Sequence, residues 1–271
     1  AFYTKESTRQ LETIMEALKD AIESVKVSKE ELDQFAAVTA SSTAGTEALA
    51  GGENAQNAQN SVLELAKASG DSGLDGVAAQ GLLDSAGSIL DATVDETKGQ
   101  TEGRAALLGA ASPAPAPAPS SSSAAMSEKQ KAEKNAAQTS EIVKSLSKSG
   151  VGGGVEGQDP FSVSSPNLQV KAFVANGETT GGVSMPSAPG ENASSAPGFT
   201  IPPGMDSPGA ENEILSSVSK KNIYSFSNDS SRIEGDTASF TLYPKGGASE
   251  KEVANLTLPF QIKIPLTITG S

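Results

Sequence analysis

The chain of 271 residues contains no histidine, no cysteine and no tryptophan. Without histidine it lacks the commonest general base and the commonest transition-metal ligand. A Ser-His-Asp or Cys-His catalytic apparatus is excluded within this chain, and a zinc site is disfavoured. Without cysteine there is no disulfide framework, but secreted chains of this length fold without one, so the compartment stays open. Aromatic residues make up 4% of the chain, so any core must be built from Leu, Ile, Val and Ala. A modest core and an elongated or multi-part shape follow. Positive charge is also scarce: 20 Lys and Arg stand against 33 Asp and Glu, a net charge of −13. Nucleic acid and anionic membrane surfaces both need clustered cations, so neither is an expected partner. The charges are interspersed along helical segments and read as solvated faces. No apolar run approaches the ~20 residues that span a bilayer, and no signal peptide stands at the start. The sequence therefore predicts a soluble piece, and its start at Ala1 predicts a fragment or processed product.

What is present divides at about residue 150. Over 4–27, Leu11, Ile14, Met15, Leu18, Ile22 and Val25 fall at helical spacing and form one apolar stripe. Ser28 with Glu31 is a capping box, and Val27 is placed to staple onto Leu32, so a second helix starts at Lys29. It turns Leu32, Phe35 and Ala36 inward, and Gly51-Gly52 ends the region. A third helix is predicted over 55–69 with Val62, Leu63 and Ala66, and a fourth over about 72–97 with Leu74, Val77, Leu82, Ile89 and Leu90. Its glycines Gly76, Gly81 and Gly87 weaken it or admit a close neighbour. The stretch 112–123, SPAPAPAPSSSS, favours an extended, polyproline-like linker. Residues 126–148 give one more helix, with Ala132, Ala136, Thr139, Val143 and Leu146 on one face.

After the glycine-rich 151–160 the period changes from helix to strand. Leu168, Val170, Ala172 and Val174 alternate up to Asn176-Gly177, a dipeptide suited to a hairpin turn. Residues 186–211, rich in Pro, Gly, Ser and Ala, read as a long loop. Further strands are predicted at NIYSFS, ASFTLY, VANLTL and QIKIPLTI, the last with Ile262, Ile264, Leu266 and Ile268 alternating. Short strands with long turns suggest a sandwich or partial barrel.

Several local patterns resemble sites. GDSG at 70–73 matches the surroundings of a protease nucleophile, but no base exists to activate Ser72, so a turn and helix N-cap are expected there. GGGVEG at 152–157 satisfies G-x-G-x-x-G, yet helix precedes it and strands follow, the reverse of a dinucleotide site, so a flexible hinge is expected. Asn192, Asn228 and Asn255 head N-x-[ST] sequons and are candidate N-glycosylation sites. In a chain this rich in Ser and Thr they permit secretion without proving it. No carboxylates show the EF-hand spacing, and Asp159 before Pro160 reads as a turn former.

The order of parts, and the terminal VANLTLPFQIKIPL, resemble the GAIN domain of polycystin-1-like and receptor-for-egg-jelly (REJ) surface proteins. The segment that precedes the family's cysteine-bearing GPS motif is matched by Val253, Asn255, Leu256, Thr257, Pro259, Ile262, Ile264 and Pro265. FSVSSPNLQVKAF resembles the family's first strands, with Ser165, Pro166, Asn167 and Leu168 as the matching core. GVSMP (182–186) and ASFTLY (238–243) resemble later ones. The resemblance implies an α+β fold: a helical bundle like GAIN subdomain A over 1–150, a hinge over 151–160, and a β-sandwich like subdomain B over 161–271. The GPS cysteines, its tryptophan and its His-Leu-Ser/Thr cleavage tripeptide are absent, so autoproteolysis is assigned to no residue: either a GPS strand lies beyond Ser271 or this member lacks it. The Ala/Pro/Ser-rich insertion resembles the composition of green-algal surface proteins and suits a flagellar one.

The resemblance implies a non-enzymatic extracellular module for adhesion, structure or mechanosensing. It would sit at the outer face of a plasma, ciliary or flagellar membrane and contact a polycystin-2-type channel or an extracellular filament protein. No catalytic residue, cofactor or metal site is singled out. The competing reading is a secreted filament subunit of flagellin type, supported by low aromatics and absent cysteine but opposed by the alternation of Ile262 to Ile268. A hydrolase using carboxylates alone is a third reading, and the shortage of aromatics counts against a sugar-binding cleft.

Overall fold

In the computed structural model, Ser28 opens helix α1 (Lys29–Thr43) with the capping box anticipated from its sequence. The Glu31 amide donates to Ser28 Oγ at 3.3 Å, and the Ser28 amide donates to Glu31 Oε2 at 2.9 Å. Three further long helices follow, α2 (Glu53–Ser72), α3 (Gly76–Leu108) and α4 (Glu128–Val151). The structure describes residues 9–10, 13–17, 20–21, 28–44, 53–72, 74–108, 128–176, 183–184, 198–200, 210–221, 223–224, 236–252 and 261–263. Positions 13–17 are helical and contribute the buried Met15.

The inward faces match the predicted stripes closely. Leu32 and Ala36 of α1, Val62, Leu63 and Ala66 of α2, Leu82, Ile89 and Leu90 of α3, and Leu146 of α4 are all buried. Val77 at 82% and Ile14 at 37% exposed are the exceptions; Val77 points away from the bundle, while the adjacent Ala78 and Ala79 are already buried in it. Alanine is frequent in this core, and small side chains let helices approach closely. Polar side chains tie α2 to α4: the Gln59 amide donates to the Asn135 carbonyl at 2.9 Å and to Thr139 Oγ1 at 3.0 Å.

GDSG is not the N-cap expected of it. Helix α2 continues through Gly70 and Asp71 to Ser72, and α3 is capped by Asp75, whose Oδ1 accepts from the Ala78 amide at 2.7 Å. Helix α3 also runs to Leu108, beyond the predicted end near 97.

Seven strands follow: β1 (Phe161–Ser164), β2 (Leu168–Asn176), β3 (Val183–Ser184), β4 (Gly198–Thr200), β5 (Glu211–Ser219), β6 (Thr237–Pro244) and β7 (Gln261–Lys263). They form an antiparallel sheet in the order β1-β2-β5-β6 and a smaller one in the order β3-β4-β7. The two meet where Phe199 of β4 stacks on Phe240 of β6, ring centroids 5.0 Å apart, beside buried Val218. The architecture is α+β, helices first and a two-sheet β part after.

The strand plan differs from expectation at its centre. Glu211–Ser219 opens inside the stretch read as loop, yet it is the inner strand of the larger sheet, paired with β2 along nine residues from Leu168↔Ser219 to Asn176↔Glu211. Its Glu, Asn and Ser residues hid it from a search for alternating apolar side chains. These polar groups are buried and bonded: Glu213 Oε1 accepts from the Gly246 amide at 3.0 Å, and the Ser216 hydroxyl donates to the Lys171 carbonyl at 3.1 Å. Within NIYSFS, Ile223 and Tyr224 lie in a turn instead of a strand. The Asn176-Gly177 hairpin also fails, since β2 pairs with β1 and β5 whereas β3 joins the other sheet. Ile262, predicted half-buried, is 60% exposed in β7. VANLTL, the rest of QIKIPLTI, the Ala-Pro tract and Gly51-Gly52 lie outside the described residues.

Helices and sheet share one core. Val163, Leu168 and Val170 of the sheet belong to the same apolar cluster as Leu32, Leu65, Leu82 and Leu146 of the helices. Two glycines set the approach. A Cβ at Gly87 of α3 would stand 2.8 Å from Ser165 Oγ, and one at Gly150 of α4 would stand 2.2 Å from Cγ of Phe161. The Phe161 ring fills the space that a side chain at 150 would need. Gly150→Ala is therefore expected to destabilise by roughly 1–3 kcal/mol through overpacking, despite alanine's better helix propensity. Gly70→Ala, with nothing within 4 Å, should leave stability unchanged or raise it slightly. Urea unfolding midpoints of the two variants check the contrast.

Candidate functional site

The densest polar constellation among the described residues lies where α4 crosses the end of β6. Lys144 and Lys148, one helical turn apart, share a face of α4 and converge on Tyr243. Tyr243 is the largest fully buried side chain, set among Val151, Ala172 and Leu215. Lys148 Nζ lies 3.8 Å from its ring centroid and Lys144 Nζ 5.3 Å, so the ring faces two cations. The Tyr243 hydroxyl donates to Glu250 Oε1 at 3.0 Å, and the Lys144 ammonium donates to the same oxygen at 2.9 Å. Lys148 also donates to the Gly247 carbonyl at 3.2 Å. Helix, strand and the turn after the strand are clamped by one carboxylate and one ring.

The chemistry of this clamp is that of a fixed ion pair. The Tyr243 hydroxyl and the Glu250 carboxylate hold Lys144 above the ordinary ammonium range. Lys144, with help from the Tyr243 hydroxyl, holds Glu250 below the carboxylate range, and burial pushes the Tyr243 phenol up. At neutral pH the lysine is charged, the glutamate ionised and the phenol neutral. None of the three is poised to exchange a proton near pH 7.

A second joint lies across the sheet, on residues of the SSPNL segment. Ser165 closes the β1–β2 turn, its hydroxyl donating to the Leu168 carbonyl at 3.1 Å and accepting from the Leu168 amide at 3.0 Å. Asn167 bonds Asp91 of α3, and Lys221 pairs with the same aspartate at 3.0 Å. Gln80 of α3 treats the edge of β1 as a neighbouring strand would: its Nε2 donates to the Ser164 carbonyl at 2.7 Å, and its Oε1 accepts from the Ser164 amide at 3.2 Å. Residues singled out by family resemblance thus form the seam between helices and sheet.

Beside the clamp, α4 and the β5–β6 half of the sheet enclose an open cleft of about 250 Å³. Sequence reasoning missed both clamp and cleft, because their members are ordinary Lys, Glu, Ser and Thr scattered over a hundred positions. The one local signal was hydroxyls at every second position in SSVS and TASFT. The candidate glycosylation sites Asn192, Asn228 and Asn255 lie outside the described residues. No group of three or more Asp, Glu, His or Cys among the described residues could hold a metal ion.

Neither protein-family models nor curated protein sequences match the chain. Among solved structures, the full extracellular region of zebrafish Gpr126/Adgrg6 is similar in fold. Its TM-score is 0.51 at 14% identity, over 90% of this chain and 28% of that one. The chain thus spans less than a third of the length of that structure, and the likeness is one of fold.

The clamp makes a signed prediction. A carboxylate held low stabilises the folded state above its ordinary value of 4.5, and that contribution is lost as pH falls through the lowered value. An ammonium held high stabilises below its ordinary 10.5 and loses that contribution as pH rises through the raised value. Glu250→Gln should therefore be less stable than the parent chain at pH 7, by a small margin because Glu250 is exposed to solvent. The margin should shrink as pH drops below about 4.5. Urea midpoints of both proteins across pH check this, and a margin independent of pH would count against the clamp.

Proposed function

We propose that the chain is the GAIN-type module of an extracellular surface protein, working as a non-catalytic unit that bears load or adhesion. The observation that carries this reading is the core common to helices and sheet. Two layers that share a core and are fastened by the Lys144–Glu250–Tyr243 clamp pass a load from one to the other instead of swinging apart. The fold likeness to the extracellular region of an adhesion receptor containing a GAIN domain supports the class. Polycystin-1-like parentage, a ciliary or flagellar membrane, and contact with a polycystin-2-type channel or an extracellular filament protein rest on the sequence resemblance. The clamp's fixed protonation supports a non-catalytic role. A flagellin-type subunit is the weaker alternative, since Gln261–Lys263 pairs with β4 as a strand and is not helical.

Antibody against the chain should label intact cells of the source organism, and glycosidase treatment should shift its mobility if Asn192, Asn228 or Asn255 carries a glycan. Labelling that requires permeabilised cells would overturn the extracellular assignment. Calorimetry tests the shared core: helices and sheet should melt in one transition, with calorimetric and van't Hoff enthalpies in agreement. Two separated transitions would remove the observation on which the reading stands.

A further inference from the structure

The cleft beside the clamp has a definite chemical character that arises from how α4 sits on the sheet. The helix covers β2 and the near side of β5, where the residues beneath it are Leu168, Val170, Ala172 and Leu215. Toward β6 the same face turns polar. In register, Leu215 stands opposite Thr241, Ser217 opposite Ser239, and Ser219 opposite Thr237. Because side chains alternate along a strand, these residues share one face and form a ladder of hydroxyls along one wall of the cleft. Ser217 and Ser239 are bonded to each other, Oγ to Oγ at 2.7 Å. Thr237 lines the cleft too, and its buried Oγ1 has no hydrogen-bond partner.

Charge narrows the class of ligand. Lys144 reaches the cleft but is held by Glu250 at 2.9 Å, and Glu141 adds a second carboxylate to the lining. The balance is negative, so phosphates, sulfates and carboxylates are repelled. A wholly apolar ligand would take the Ser217 and Ser239 hydroxyls from water and leave their remaining lone pairs without a donor. A molecule with hydroxyls around its edge and C–H groups on its face satisfies both walls. The edge meets the Ser/Thr ladder, and the face rests on Leu168, Leu215 and the ring of Tyr224, which is 43% exposed. The volume of about 250 Å³ lies just below the ~300–1,000 Å³ typical of pockets for drug-sized ligands, which suits one small ring.

We propose that this cleft binds a neutral sugar unit, held by the Ser217–Ser239 hydroxyl pair with Thr241 beside it, and resting on Tyr224. The low aromatic content of the chain spoke against a sugar cleft, but the one aromatic needed stands at this position. The inference is independent of the GAIN-type reading, since it rests on the ladder and the cleft alone.

The test is an NMR titration of the full chain with galactose, glucose, mannose and N-acetylglucosamine, with glycerol and inorganic phosphate as controls. At least one sugar should shift the amides of Ser217, Ser239, Thr241 and Tyr224, while both controls leave them in place. Ser217→Val with Ser239→Val should weaken that binding roughly tenfold, the loss expected when one or two net hydrogen bonds go. Tyr224→Ala provides a second variant that leaves the sheet pairing untouched. The proposal is overturned if no sugar shifts these amides, if glycerol or phosphate shifts them equally, or if either folded variant binds as the parent does.

Discussion

Everything else in this structure depends on how closely helices and sheet approach. The chain has few aromatic residues to fill space, and its helical core leans on alanine. A core of small side chains closes only if backbones come near one another, because apolar contact decays within an ångström of separation. Gly87 against Ser165 and Gly150 against Phe161 are where that approach happens. The Phe161 ring is spent there, lying against the end of α4 as well as the sheet. The sheet therefore completes the helical core, and its residues Val163, Leu168 and Val170 belong as much to the helices as to their own layer.

Once that approach is fixed, polar groups at the interface become legible as fasteners. Buried apolar surface holds the layers together without direction, whereas the Lys144–Glu250–Tyr243 constellation and the Ser165–Asn167 turn fix their register. The two fasteners lie on different helices, α4 and α3, so rotation about either one is resisted by the other. The shared carboxylate serves two donors at once, which is economical in a chain where acids outnumber bases.

The helical part could be read from the sequence in detail, down to the capping box at Ser28, because helical periodicity and end signals are local. The α+β class was equally legible. The inner strand Glu211–Ser219 was not. Six of its nine side chains are Glu, Asn and Ser, and Glu213 and Ser216 are buried because neighbouring strands and turns meet their hydrogen bonds, a fact that exists only after folding. Conversely, NIYSFS has strand composition, but its Ile223 and Tyr224 lie in a turn and Ile223 packs against the helical core. The candidate site was the least legible feature. Lys144 is distant in sequence from Tyr243 and Glu250, and their meeting is a product of α4 packing on the sheet.

The amide of Gln80 occupies the place of an absent strand, offering one donor and one acceptor to Ser164. An edge closed by a side chain differs from one closed by backbone, because a single rotamer change reopens it while the rest of the sheet stays intact. Such an edge is a latch. It shields β1 from casual pairing with other chains in the resting state, yet a small displacement of α3 would uncover two unpaired backbone groups at once. Coverage of this edge is therefore set by where α3 sits and not by the pairing of the sheet.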